Sequence, residues 1–200
     1  FFVAAAMAGV NLLFGLFVLP ESLPKERRRP FEWKRANPIG ALASLRRRPE
    51  VLGIVACIFL FNFAFQVYPA TWAFFATLKF NWSVGAVGIA LAYSGLLMAV
   101  MQGAFTGRIV RAIGEPRAVL LGMASAIIGM TCNAFASVGW QVYVCATIGC
   151  LHGLAGASLN AIATSRTPPD QQGELQGAVS SLNGLGTVAS PLILTQTLAY

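Results

Sequence analysis

The chain has 200 residues, of which 56% are hydrophobic and only 10% are charged, and its formal net charge is +7. Soluble domains carry about 25% charged residues, so this composition excludes an ordinary soluble domain and indicates a membrane protein. Apolar runs of about 20 residues have the length that crosses the hydrocarbon core of a bilayer.

The first predicted element is the apolar run 1–19, which Pro20 ends. It lacks the basic start and the small-residue cleavage site of a signal peptide, so we predict a membrane-spanning helix. Because the chain begins at Phe1 rather than Met and stops at Tyr200 within another apolar run, we expect a piece of a longer protein.

A basic connector follows at residues 20–50 and holds nine of the fourteen Lys and Arg residues. Basic segments beside membrane spans bind anionic lipid head groups, at about 1 kcal/mol per charge, so we expect residues 25–48 to lie against lipid. Within it, residues 37–48 are compatible with a short interfacial helix. Phe31 and Trp33 suit membrane anchoring better than stacking on bases, and we expect no nucleic-acid partner.

Five further apolar runs follow the connector, and we predict a membrane-spanning helix in each. They cover residues 51–75, 84–106, 117–136, 140–163, and 175 to the end of the chain. Glycine and proline inside such runs do not argue against helices in membranes.

The positive charges set the predicted orientation. With alternating crossings, the segments 20–50, 107–117 and 164–174 share one side and hold nine, three and one of the Lys and Arg residues. The opposite side holds Lys79 alone. Positively charged loops stay in the cytoplasm, so the sequence predicts that these three loops are cytoplasmic in a multi-pass protein of the cell's inner (plasma) membrane.

The four cysteines all lie inside apolar runs rather than in polar loops: Cys57, Cys132, Cys145 and Cys150. A disulfide framework or a metal site would favour polar loops and tighter spacing. We therefore interpret them as buried thiols and expect no metal.

Several motifs resemble the tetracycline-efflux group of the major facilitator superfamily, and they occur in the order found in that family. They are LPES at 19–22, ANPIGAL at 36–42, QVYPATWAFF at 66–75, FNWSVGAVGIAL at 80–91, GRIVRAIGEPRAVLLGM at 107–123 and DQQGELQGAVSSLNGLG at 170–186. The last block is the most specific of these, and the resemblance covers essentially the whole chain.

The resemblance implies an all-α membrane protein whose complete fold pairs two six-helix bundles around a central cavity. Residues 1–19 would be the last helix of the amino-terminal bundle, 20–50 the cytoplasmic connector, and 51–200 helices seven to eleven of the carboxy-terminal bundle. It implies a monomeric antiporter, without cofactor and not an enzyme, that exports tetracycline-like drugs against protons and confers antibiotic resistance. The alternative is a major facilitator importer or exporter of another small metabolite.

The segment GRIVRAIGEPR predicts a tight cytoplasmic turn, because Gly114 suits a helix end and Pro116 a helix start. In the family's stronger copy of this motif an acidic residue stands where this chain has Arg111. A gating role and a merely topogenic role therefore both stay open. The candidates for gating are Gly107, Arg108, Arg111, Gly114 and Arg117.

Polar side chains inside a bilayer are functional candidates, because hydrocarbon offers them no partner. We select as candidates for lining the substrate cavity Asn62, Gln66, Met98, Gln102, Asn133 and Asn160. The alternative for each amide is a hydrogen bond to a neighbouring helix. Small-residue stripes at 149–157 and 173–184 predict close helix packing by the same physics.

His152 is the only histidine of the chain and the candidate for proton coupling. The alternative is a neutral imidazole bonded to a backbone carbonyl. Many tetracycline exporters have an Asp at the position of Ala126 and a His at that of Met98. Their absence here leaves the substrate, the transport direction and the coupling residues of the unseen amino-terminal half undecided by the sequence.

The sequence lacks the residues that three other functions would require: a membrane-embedded enzyme, a channel and an ATP-driven transporter. A membrane-embedded enzyme needs paired carboxylates, a nucleophile with its base or a metal cluster, and none is apparent in the apolar runs. Nothing resembles the carbonyl filter or the charged ring of a channel. A nucleotide-binding GxxxxGK[ST] loop is also missing, so ATP is not expected to drive this chain.

Overall fold

A computed structural model describes residues 2–18 and 49–198, and every regular element among them is helical. The chain divides into two compact units, Phe1–Ala36 and Asn37–Tyr200. In the first unit, one apolar helix is described. The predicted connector and its interfacial helix fall mostly on residues 19–48 and lie outside the described residues.

The helices are α1 Phe2–Phe17, α2 Pro49–Phe65, α3 Val67–Phe80, α4 Val84–Val100, α5 Thr106–Ile113, α6 Glu115–Phe135, α7 Gly139–Gly149, α8 Gly153–Ser165 and α9 Gln172–Leu198. A π-helical turn, Met101–Phe105, joins α4 to α5, and a 3₁₀ turn, Cys150–His152, joins α7 to α8. Within the described ranges, three continuous helical stretches are long and apolar enough to cross a membrane: Val84–Ile113, Glu115–Phe135 and Gly139–Ser165. The all-α membrane fold predicted from the sequence is confirmed.

The predicted helix end at Gly114 is confirmed. The apolar run was predicted to end near residue 106, and the polar residues 107–113 continue its helix up to Gly114, the first residue that leaves helical geometry, with φ 81°. Glu115 then begins α6, and Pro116 stands in its first turn, where its missing N–H costs nothing.

Two apolar clusters lie toward opposite ends of the second unit. One joins the start of α2, the start of α9 and the end of α8, and includes Val55, Leu159 and Leu175. The other joins α3 to the starts of α4 and α7 and includes Trp72 and Val142. The middle of each long helix therefore lies between the clusters.

Glycines allow α6 to pack so closely against α7 and α8 that their backbones are in contact. A Cβ atom at Gly129 would lie 2.7 Å from Cα of Gly149, and one at Gly122 would lie 2.5 Å from the amide nitrogen of Ala155. The stripe predicted at 149–157 thus packs closely at Gly149. The stripe at 173–184 has open space beside Gly173, Gly177 and Gly184 among the described residues.

This packing predicts that two glycine-to-alanine substitutions change the free energy of unfolding differently. We expect Gly129→Ala to destabilise the bundle by about 1–3 kcal/mol, because the new methyl group overpacks a backbone contact. The control Gly88→Ala adds its methyl group to open space, so the helix preference of alanine should make it neutral or slightly stabilising. Thermal unfolding in detergent measures both, and equal shifts for the two variants would contradict the close approach.

The prediction that all four cysteines are free thiols was wrong for one pair. Cys132 near the end of α6 is disulfide-bonded to Cys145 in α7, with Cα atoms 5.6 Å apart. Only three residues separate the two antiparallel helices, so cysteines in different apolar runs come face to face near the turn. Cys57 and Cys150 are free.

Candidate functional site

Three helices of the second unit are irregular near their middles. The run predicted as one helix at 51–75 breaks at Gln66, because Pro69 has no N–H to donate to the carbonyl of Phe65. The π turn widens the next span, and Thr106 Oγ1 donates to the carbonyl of Met101 over 3.0 Å. The 3₁₀ turn at Cys150–His152 tightens the helix in the third span, between α7 and α8. Such irregularities inside membrane helices are frequent where a site is built.

The irregular turns meet one another. The rings of Phe65, at the end of α2, and His152, in the 3₁₀ turn, stack with centroids 4.4 Å apart and planes 12° from parallel. Gln102, in the π turn, lies so close to Gly153 that a Cβ there would be 3.3 Å from its Nε2 atom. Three breaks in three helices therefore form one neighbourhood between the two apolar clusters.

The first cavity at this point, which we call the polar cavity, has a volume of about 520 Å³. Its hydrogen-bonding side chains are those of Asn62, Gln102, Thr106, His152 and Asn160. Asn160 donates to the carbonyl of Gly156 in its own helix over 2.9 Å. No hydrogen bond to a described residue engages the side-chain amide of Gln102, which is free to meet a solute.

A second cavity of about 330 Å³, the amide cavity, lies between α2 and α9. Two hydrogen bonds cross here, one helical turn apart. Asn62 Nδ2 donates to Asn183 Oδ1 over 3.0 Å, and Gln66 Nε2 donates to Thr187 Oγ1 over 2.6 Å. For Asn62 and Gln66, the structure thus supplies the helix-to-helix bonds that the sequence left as the alternative.

The third cavity, the aromatic cavity, has a volume of about 320 Å³ and lies among α3, α4, α6 and α7. Its wall is largely apolar and includes the rings of Phe65, Tyr68 and Trp72. Asn133 Nδ2 donates to the hydroxyl of Tyr68 over 3.1 Å. Phe65 lines all three cavities, so they are immediate neighbours.

Every residue predicted from the sequence for the substrate cavity lines at least one of these spaces. Asn62, Gln102 and Asn160 line the polar cavity, Gln66 the amide cavity, and Asn133 the aromatic cavity, and Met98 lines both the polar and the aromatic cavity. Ala126, which stands where many tetracycline exporters have an Asp, also lines the aromatic cavity. Contact with a substrate stays a prediction for all of them.

His152 stands between the polar and the aromatic cavity and lines both. Its Nδ1 atom lies 2.8 Å from the carbonyl oxygen of Gly149. A carbonyl can only accept, so Nδ1 carries the proton of the neutral ring and Nε2 keeps a lone pair. The imidazole can thus make the backbone bond of the packing alternative and still accept a proton at Nε2.

The aromatic members of the site were missed in the sequence. Phe61, Phe65, Tyr68 and Trp72 follow one another at intervals of four, three and four residues, which places them on one face of a helix. That spacing is the signal that could have found them. The break at Gln66 preserves this face, since the rings of Phe65 and Tyr68, on either side of it, stack with centroids 6.3 Å apart.

The predicted gating residues lie around the turn between α5 and α6. Arg108 and Arg111 each donate to a carbonyl four residues earlier, that of Ala104 in the π turn over 2.9 Å and that of Gly107 in α5 over 3.0 Å. Among the described residues no carboxylate lies within 4.0 Å of either guanidinium. The arginines therefore stabilise the carboxyl end of α5, and a gating role for Gly107, Arg108, Arg111, Gly114 and Arg117 stays a prediction.

Comparison with known proteins gives one family and two kinds of relative. The family model described as Major Facilitator Superfamily matches residues 1–191. The tetracycline resistance protein, class C, of Escherichia coli is 33% identical over 195 residues, which are 98% of this chain and 49% of that protein. The class G protein of Vibrio anguillarum is 32% identical over 142 residues, which are 71% of this chain and 36% of that protein.

A relative with a different name matches almost as much of the chain. The human hippocampus abundant transcript-like protein 1 is 29% identical over 199 residues, which are 96% of this chain and 39% of that protein. The chain spans about half the length of the class C protein, and less of the other two.

Proposed function

The chain belongs to the major facilitator superfamily, and from this membership we propose that the protein is a proton-driven secondary transporter that exports drug-like small molecules by alternating access. The proposal places it in the inner (plasma) membrane as a monomer, with the loops 20–50, 107–117 and 164–174 cytoplasmic. Its partners are the cargo, protons and the anionic lipid against the basic connector. No catalytic step is proposed.

One observation carries this proposal. The intramembrane amides selected from the sequence and the only histidine gather around three adjacent cavities in the middle of the bundle. Secondary transporters bind cargo and coupling ions near the bilayer midplane, where helices are interrupted. The breaks at Gln66, Met101–Phe105 and Cys150–His152 match that pattern.

The proposed cargo is broader than tetracycline itself. Ala126 and Met98 contribute no charge to the cavities they line, and the polar groups around the cavities are mostly amides and hydroxyls. Such walls suit amphiphilic compounds with several hydrogen-bonding groups. The relatives named as tetracycline resistance proteins favour an exported drug, whereas the differently named relative keeps transport of another metabolite as the second candidate.

Reconstitution of the purified protein into liposomes tests the function and its direction. With a lumen one pH unit more acidic than the outside, an antiporter should accumulate tetracycline in the lumen to about ten-fold, because one pH unit is worth 1.36 kcal/mol per proton. Protein-free liposomes correct for passive trapping, and a protonophore should abolish the accumulation. Accumulation only when the lumen is more alkaline than the outside would contradict export. Cargo movement that does not change with the pH gradient would contradict proton coupling.

A further inference from the structure

The aromatic cavity holds two buried polar atoms that lack a hydrogen-bond partner. Among the described residues, four buried side-chain atoms are in this state, and two of them, Trp72 Nε1 and Asn133 Oδ1, belong to residues that line this cavity. Both residues are 9% exposed. Buried polar groups in proteins are nearly always paired, so unpaired ones at a cavity indicate a missing partner.

The two atoms are complementary in chemistry, and both residues contact Tyr68. Trp72 offers an N–H donor, and Asn133 offers a carbonyl acceptor. The ring of Tyr68 lies 5.8 Å from that of Trp72, and its hydroxyl accepts from Asn133 Nδ2. A partner for both atoms must therefore bring an acceptor and a donor to the part of the cavity wall beside Tyr68.

The remaining wall defines the body of that partner. It is largely hydrocarbon and aromatic ring, and no Lys, Arg, Asp or Glu is among the described residues that line it. Water needs two to four polar neighbours to be held in a cavity, so the few polar atoms of this wall can hold single waters but cannot fill the cavity with them, whereas an apolar body fills it by packing and ring stacking. At about 320 Å³ the volume is near the lower end of the roughly 300–1,000 Å³ found for ligand pockets.

We propose that the aromatic cavity is a binding site for a neutral, planar aromatic compound of about two fused rings, whose acceptor takes the Trp72 N–H and whose donor bonds to Asn133 Oδ1. The site lies inside the bundle of α3, α4, α6 and α7. The inference rests on the proposed function only in treating the bound compound as cargo, since binding itself requires no transport.

Three probes of similar shape separate the two hydrogen bonds. In 2-quinolone a ring carbonyl adjoins a ring N–H, quinoline has the acceptor alone, and naphthalene has neither. Titration calorimetry with the purified protein in lipid nanodiscs should rank them in that order, each step weakening binding about five-fold, the loss expected for one neutral hydrogen bond. Empty nanodiscs correct for partition into lipid.

Two variants assign the bonds. Trp72→Phe keeps an aromatic ring but removes the donor, so quinoline should lose its advantage over naphthalene. Asn133→Leu removes the acceptor, so 2-quinolone should fall to the level of quinoline. Trp140→Phe replaces a tryptophan that is 64% exposed and does not line the cavity, and it should leave all three affinities unchanged.

Equal affinities of the three probes for the unmodified protein would overturn the site, and so would heat no greater than that of empty nanodiscs. If 2-quinolone still binds about five-fold more tightly than quinoline in Asn133→Leu, the assigned contact with Asn133 is overturned. Binding is measured without a pH gradient, so the proposed binding site and the proposed transport function are tested independently. Ranked binding without driven transport would count against the proposed function alone, and driven transport without ranked binding against this site alone.

Discussion

His152→Gln is expected to reduce the cargo ratio that a gradient of one pH unit sustains from about ten-fold to about one-fold. Glutamine retains hydrogen-bonding capacity and has nearly the same volume, but it does not titrate. Without a group that binds and releases the proton, the gradient cannot do work on the cargo. Exchange of labelled for unlabelled cargo needs no net proton movement and should persist.

The geometry gives the reason for choosing this residue. Nδ1 is committed to the carbonyl of Gly149, and Nε2 remains as the proton acceptor in a side chain that lines both the polar and the aromatic cavity. Proton and cargo would then compete for one neighbourhood, which is what antiport requires.

A matched variant separates proton coupling from packing. Phe65→Leu removes the ring that stacks on His152 while the imidazole can still titrate. It should slow transport but leave the final cargo ratio near ten-fold, because that ratio depends on stoichiometry rather than on rate. If His152→Gln also keeps a ten-fold ratio and an unchanged pH dependence, His152 is a packing residue and the coupling groups lie elsewhere in the protein.

The sequence predicted the positions of the helices well because apolar length and turn chemistry are local properties. Gly114 and Pro116 fixed one turn, and the run of residues 115–135 differs from its predicted bounds by only one or two residues. Residues 107–113 lie beyond the apolar run, but Gly114 marks where their helix ends, and arginines are favourable at the carboxyl end of a helix.

The irregular turns could not be predicted in the same way. Pro69 signals a break, but the π turn at Met101–Phe105 and the 3₁₀ turn at Cys150–His152 have no comparable signal in the apolar pattern. They depend on which helices pack together. The same is true of the partners: nothing local to Gln66 identifies Thr187, which is 121 residues away.

The sequence predicted the same role, lining the substrate cavity, for Gln102 and Gln66. In the structure the two side chains have different surroundings, so different effects of mutation are expected. Gln102 lies in the π turn and lines the polar cavity, and its side chain has no hydrogen bond to a described residue. Gln66 is bonded to Thr187 on α9. We therefore expect Gln102→Ala to affect cargo binding and Gln66→Ala to affect the contact between helices.

For Gln102→Ala we expect cargo affinity to fall about five-fold, the loss of one neutral hydrogen bond, with thermal stability unchanged. For Gln66→Ala and Thr187→Val we expect each to lower stability by about 1 kcal/mol, and the double variant to lose about 0.6 kcal/mol less than their sum, because both remove one bond. Affinity from cargo titrations and stability from unfolding, measured on all four variants, check these values. Strict additivity for Gln66 and Thr187 would show that their bond contributes nothing. A stability loss in Gln102→Ala at unchanged affinity would show that Gln102 bonds to another helix rather than to cargo.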